Sequence, residues 1–412
     1  MIDIARRSLS ELKPYHVLAF GLGFSVPIST AAVSVFALLI TLWVLFNVRR
    51  LEFPVARIAA LMTVKALLIL LGVLFFGGVL ACYNGYDPWE VSRKHLKFFL
   101  FFPLLVLFLY RSSRYAFLAG LLSAVMLALG ISLVAYFLEL SRFNVLGSEW
   151  APFKNHTEHN LFVALALFGI LLLLKTVRFP RRISLILYLT AVLSVFDIFY
   201  VVPGRTGQIL CFILLAIILF SGAQYNKFIR YAVLVALSAS ALAFIIPGTA
   251  LHAGVLKAVS DWDLFLNDHH TTSIGYRLRF YTVTMELIRL NDALVLGVGN
   301  GGLLASLKDM LSTQGVSDIF DNPHNDYLFF LVENGLIGVA ALIGIFTAAV
   351  LDLRKNSGLL RQAGFGLIAC WAIGGLANSM FLDHTSGYAF ISLLACLFAN
   401  KVLEDSRMDR SS

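Results

Sequence analysis

CFILLAIILF, Cys211–Phe220, is apolar at every position, and FGILLLLK, Phe168–Lys175, keeps that character up to one terminal lysine. A strand of a membrane barrel alternates apolar and polar residues over segments of about ten. These stretches do not alternate, so their side chains point all round a helix whose neighbours are lipid or other helices. In hydrocarbon each backbone N–H and C=O must find a partner within its own segment, and a helix meets that condition.

Similar runs recur through the 412 residues, of which 59% are hydrophobic and 14% charged. That composition excludes an ordinary soluble domain. Since a bilayer core of about 30 Å takes about 20 helical residues, the expected fold is an all-α integral membrane protein with about twelve transmembrane helices. The spans fall at residues 15–29, 31–47, 58–82, 98–110, 115–138, 159–175, 183–202, 207–222, 230–249, 326–351, 363–382 and 387–403. Residues 1–249 thus hold the first nine, 250–325 one long outer loop, and 326–412 the last three with a tail. VPIST, Val26–Thr30, reads either as a tight turn between the first two spans or as a kink in one helix.

Arg49, Arg50, Arg57, Arg111, Arg114, Arg181, Arg182 and Arg354 lie in short loops on one side, which is predicted to be cytoplasmic and to hold both termini. The net charge of +8 reflects this bias, so no nucleic-acid partner is expected. The run after Lys13 has no small-residue cleavage site, and a cleavable signal is not expected. Cys82, Cys211, Cys370 and Cys396 lack metal-ligand spacing and read as small hydrophobes.

The outer loop is long enough to be functional. Within it SIGYRLRFYTVTMELIRLN predicts an amphipathic helix, capped by Ser273, with an apolar stripe of Tyr276, Phe280, Val283, Leu287 and Leu290. Arg279, Thr282, Glu286 and Arg289 form its polar flank. At about 100° per residue, Arg277 lies about 160° away from Arg279, so one small anion is not held by both. GVGNGG, Gly297–Gly302, matches a dinucleotide fingerprint in letters only; no strand precedes it, and a tight turn is expected. NHT at Asn155–Thr157 is read as a chance sequon.

Arg205, in YVVPGRTGQILCF, stands between two apolar spans and cannot shed its charge. A phosphate would match its planar fork; the alternatives are headgroups or an ion pair with Asp197. His324, in DNPHNDYLFFLVENGLIGV, stands at the mouth of a span, where an imidazole serves either as a base or as an interfacial hydrogen-bonding group. Further along, Glu333 and Asn334 need polar partners, and Gly335 and Gly338 are expected to share a face that permits close helix contact. Lys154, His156, His159 and Asn160, in FKNHTEHN, form either a solvated loop or the lining of an acceptor site.

These motifs together resemble the O-antigen ligase and polymerase superfamily of bacterial envelope proteins. HNDYLFFLVENGLIGV resembles its signature of His, a small polar residue (Asn325), a spacer and Gly-x-x-Gly; GRTG, SIGYR and LGVGNGG match its arginine motif, helix start and glycine turn in order. The resemblance implies a GT-C-like glycosyltransferase of the bacterial inner membrane with its site facing the periplasm. It implies transfer of a glycan from undecaprenyl pyrophosphate to a sugar hydroxyl of lipid A-core, without nucleotide sugar; no cofactor is expected, and two arginines with no clear acidic metal-binding motif point to a reaction without metal. Arg205 and Arg277 would then hold the pyrophosphate, and His324 would be the base. Asn325, Lys154, His156 and His159 are secondary candidates. Asp321 and Asp326 beside His324 keep a metal open. A polymerase of the same superfamily, a protein-glycosylating oligosaccharyltransferase and a polyprenyl-linked glycan transporter are the competing readings.

Overall fold

The computed structural model describes residues 13–50, 54–140, 150–220, 231, 234, 238, 245–247, 250–267, 272–290, 293–313, 323–356 and 358–411. Among them every regular element is helical: α1 Pro14–Ser25, α2 Thr30–Asn47, α3 Val55–Ala60, α4 Met62–Tyr83, α5 Trp89–His95, α6 Phe101–Leu109, α7 Arg111–Phe137 and α8 His156–Thr176. There follow α9 Arg181–Phe196, α10 Arg205–Phe220, α11 Ala250–Leu266, α12 Ser273–Leu290, α13 Gly302–Thr313, α14 Asp326–Leu353, α15 Gly358–Gly374 and α16 His384–Ser411. The protein is a multi-pass membrane protein: seven described helices are long and apolar enough to cross a bilayer, and α10 and α15 are shorter apolar helices.

Several sequence expectations change at the helix ends. The turn at Val26–Ile28 separates α1 from α2, and the Ser29 hydroxyl caps α2 by accepting from Ala32 N at 3.3 Å, so Pro27 marks a break between two helices. The fourth expected span, 98–110, is helical but not one regular α-helix: a 3₁₀ turn Leu96–Leu100 leads from α5 into the 9-residue α6. The expected span 230–249 lies almost wholly outside the described residues, as does Asp321. Three cysteines are buried as expected, whereas Cys82 is exposed.

Packing runs through helix pairs: α1 along α7, α4 along α14, α8 along α10 and α16 along α6. Phe98, Phe101, Phe108, Phe117, Phe329, Phe390 and Trp371 fill the centre, all under 2% exposed. Phe46, Phe75, Leu185 and Val192 point outward, as expected where the surrounding solvent is hydrocarbon. At one end the Asp352 carboxylate, from the last turn of α14, accepts from Thr63 N and Thr63 Oγ1 at 2.8 Å each. It caps the N-terminus of α4, where unpaired amides and the helix dipole favour an anion.

The glycine turn between α12 and α13 seats against a break in α14. Gly335 has φ 65° and ψ −164°, so it does not share a helical face with Gly338 as the spacing suggested. An added Cβ there would overlap the backbone of Val295, and the freed amides of the broken helix are used elsewhere: Leu336 N donates to Leu294 O at 2.9 Å. In return Val298 N and Gly299 N donate to Val332 O and Glu333 O at 2.7 and 3.0 Å. The polar partners that Glu333 and Asn334 require are supplied here. Glu333 accepts from Gly301 N and, at 3.1 Å, Leu303 N at the start of α13; Asn334 Nδ2 donates to Asn300 Oδ1 at 3.1 Å.

Candidate active site

At the opposite end from Asp352 lie the N-termini of α8, α10, α14 and α16, and side-chain contacts join that of α8 to those of α10 and α16. Asn155 begins α8 by accepting from Glu158 N at 2.9 Å, so the residue of the chance sequon is a helix cap. Beside it starts α10, because Gly204 and Gly207 leave no side chain between the two helices: a Cβ at Gly204 would stand 2.9 Å from His156 Cδ2, and one at Gly207 would overlap Asn160. Lys154 Nζ, just before α8, donates to Thr385 Oγ1 at 2.8 Å in the first turn of α16. Asn325 caps α14 by accepting from Leu328 N at 3.1 Å. Each such end carries an effective positive partial charge of about half a unit, which makes their meeting point favourable for an anion.

The turn that presents Arg205 has its own support. The end of α9 widens into a π-helical turn, Asp197–Val201, closed by Val202 N donating to Asp197 O at 2.8 Å. That turn directs the Asp197 carboxylate inward, where Ser132 Oγ donates to it at 2.6 Å and His159 Nε2 lies 2.8 Å away. The Arg205–Asp197 ion pair allowed by the sequence therefore does not form. Asn160 Nδ2 then fixes the next peptide by donating to Val202 O at 2.7 Å. Replacing Asp197 with alanine is expected to destabilise the fold by about 1–3 kcal/mol, because His159 and Ser132 lose a buried partner. An unchanged melting temperature in detergent would contradict this.

Arg205 itself is exposed, and among the described residues no carboxylate pairs with it. Arg277, one turn into α12, is half-buried close enough to feel the charge of Arg205. Burial first, and then that like charge, lower the Arg277 pKa from the ordinary guanidinium value, against the opposing effect of Tyr281. No described carboxylate pairs with Arg277 either. Two neighbouring guanidinium groups at helix N-termini, without an acid between them, are suited to a multiply charged anion such as a pyrophosphate.

The helix that carries Arg277 is amphipathic as expected, with a rotated stripe. Phe280, Val283, Leu287 and Ile288 are buried, while Leu290 is 69% exposed. The side chains of Ser273 and Tyr276 lie outside the described residues; the hydroxyl that accepts from Gly275 N, at 3.0 Å, is that of Thr272. Thr282, Glu286 and Arg289 face outward, with Arg279 half-exposed on the same flank.

His324 is tied to this helix through its neighbour. Asn325 Nδ2 lies 3.5 Å from the Tyr281 hydroxyl, one turn beyond Arg277, and donates to Leu376 O at 3.0 Å. The imidazole of His324 is exposed on a backbone with φ 49°, in the left-handed region that non-glycine residues seldom occupy. Strain of this kind persists where the surroundings overdetermine it, and it concentrates at functional sites. Asp326, next in line, is fully buried, and its carboxylate accepts from Phe381 N at 3.1 Å.

The secondary candidates separate. His156 stands at the arginine turn and feels the charges of both Arg277 and Arg205, on the side of the anion site. His159 and Asn160 are buried supports of that turn. Lys154 is buried too, so FKNHTEHN is not simply a solvated loop; burial lowers its amine pKa, opposed by Glu158. The segment LANSMFLDHTSGY, Leu376–Tyr388, was not legible as part of the site. The expected span 363–382 takes in Leu376–Leu382, yet α15 ends at Gly374. Its density of small polar residues was the available signal.

Residues 203–343 match a family described as O-antigen ligase, a stretch that includes Arg205, Arg277 and His324. Among curated proteins none matches the chain.

Proposed function

The chain belongs to the O-antigen ligase/polymerase superfamily, and from that premise we propose that it is a ligase transferring a glycan from undecaprenyl pyrophosphate to a sugar hydroxyl of lipid A-core. It would act on the periplasmic face of the inner membrane, with both termini in the cytoplasm. The observation that carries this reading is the pairing of Arg205 with Arg277 at the converging helix ends, without a described carboxylate between them.

In this mechanism the two guanidinium groups bind the pyrophosphate of the donor. As the bond from the anomeric carbon to the phosphate oxygen breaks, its electron pair stays on the pyrophosphate, and the arginines stabilise that growing charge. The acceptor hydroxyl attacks from the opposite face, which inverts the anomeric centre. Its proton passes to an imidazole nitrogen of His324, a contribution of about 10² to 10⁴ in rate. No step calls for a metal.

Purified protein in liposomes with lipid-linked glycan and lipid A-core is expected to move glycan to the core, and to do so equally in excess chelator. Glycan appearing on a second lipid-linked repeat would instead make the protein a polymerase. Movement across the bilayer without bond formation would make it a transporter. Loss of transfer in chelator would overturn the metal-free mechanism.

A further inference from the structure

The residues that carry the proposed chemistry come from α10, α12 and the start of α14, and something must set their mutual spacing. Each is bonded to the chain between α15 and α16. Gly375 O accepts from Asp326 N at 2.8 Å, and Leu376 O accepts from Asn325 Nδ2 at 3.0 Å and Tyr281 Oη at 3.4 Å. Asn378 Nδ2 donates to Thr206 Oγ1 at 2.9 Å, across 172 residues of sequence. From behind, Lys97 Nζ donates to Leu382 O at 3.1 Å and Asp383 O at 2.7 Å, and Lys97 is only 2% exposed. The segment is thus pinned on a buried side and offers its other groups to the motif-bearing helices.

We propose that Asn378 is a positioning residue for donor binding, acting through Thr206 to set Arg205 at its working distance from Arg277 and His324. The inference rests on the ligase reading, and Asn378 lies outside the stretch matched by the family. Arg205 is exposed and follows a proline–glycine turn, and among the described residues no carboxylate pairs with its side chain. Thr206, immediately after it in the first turn of α10, has its hydroxyl oriented by the amide of Asn378, which is 6% exposed. A partly buried hydrogen bond beside an exposed functional group can fix that group without touching the ligand.

The test uses undecaprenyl pyrophosphate itself, the common product of any such transfer, bound to the full-length protein in phospholipid nanodiscs. Asn378→Ala and Thr206→Val are each expected to weaken binding about tenfold, and the double variant no further, because both remove one hydrogen bond. Thr206→Ser, which keeps the hydroxyl, is expected to bind within about twofold of wild type. Wild-type binding by Asn378→Ala, or losses that multiply in the double variant, would overturn the inference. If Asn378→Ala does not fold, the Thr206 pair decides: equal binding by the valine and serine variants overturns it. Arg205→Ala distinguishes the two levels. Wild-type binding by Arg205→Ala removes the donor reading and this inference together, whereas its loss with intact Asn378→Ala binding removes this inference alone.

Discussion

Arg277→Ala is expected to abolish transfer, a loss of about 10³-fold or more, while Arg279→Ala is expected to keep most of the wild-type rate. The two residues are two positions apart on α12, which at about 100° per residue places them on different faces. Arg277 is half-buried beside Arg205, and its charge has no described carboxylate to balance it. Arg279 shares its flank with Thr282, Glu286 and Arg289, all exposed. Removing Arg277 leaves Arg205 alone to stabilise a leaving group with more than one negative charge. Arg277→Lys should restore part of the rate, since an ammonium supplies charge without the planar fork. Initial rates in the reconstituted assay check the contrast, and equal losses at positions 277 and 279 would contradict the assignment.

His324→Gly is expected to lower transfer by about 10² to 10⁴ without destabilising the protein. Alanine alone would be ambiguous, because at φ 49° it retains the cost of a left-handed backbone while removing the ring. Glycine relieves that strain, so a low rate in His324→Gly isolates the loss of the imidazole. A glycine variant as active as wild type would mean that the position serves the turn rather than proton transfer. Donor binding should remain in both variants, since the arginines are untouched.

The parts of this architecture that were legible in the sequence have local causes. Pro27 announces a break through backbone chemistry confined to a few residues, although the choice between a turn and a kink is made only by the Ser29 cap seen in the structure. The stripe of α12 could be placed from its period, although its last member is rotated: Ile288 packs inward and Leu290 does not. Long-range partners were not legible. Nothing near Asp197 in sequence indicates that Ser132 and His159 occupy its carboxylate, 65 and 38 residues away. Hydropathy does not place the break at Gly335, because apolar runs flank Glu333, Asn334 and Gly335 on both sides and the displaced amides are satisfied by another segment. Leu376–Leu382 misled for a related reason: enough apolar residues accompany Asn378 and Ser379 to extend a span on paper.

If they set the site as proposed, the hydrogen bonds of Asn378, Leu376 and Gly375 would also order events during synthesis. A ribosome delivers both arginines and the histidine well before it delivers these residues. If Asn378 sets the spacing of these groups as proposed, the nascent protein would lack that brace until α15 and α16 are inserted and would be idle until then. Residues 203–343, though they contain all three groups, would by the same logic not work as an excised module. On that proposal, transfer waits until α15 and α16 are in place.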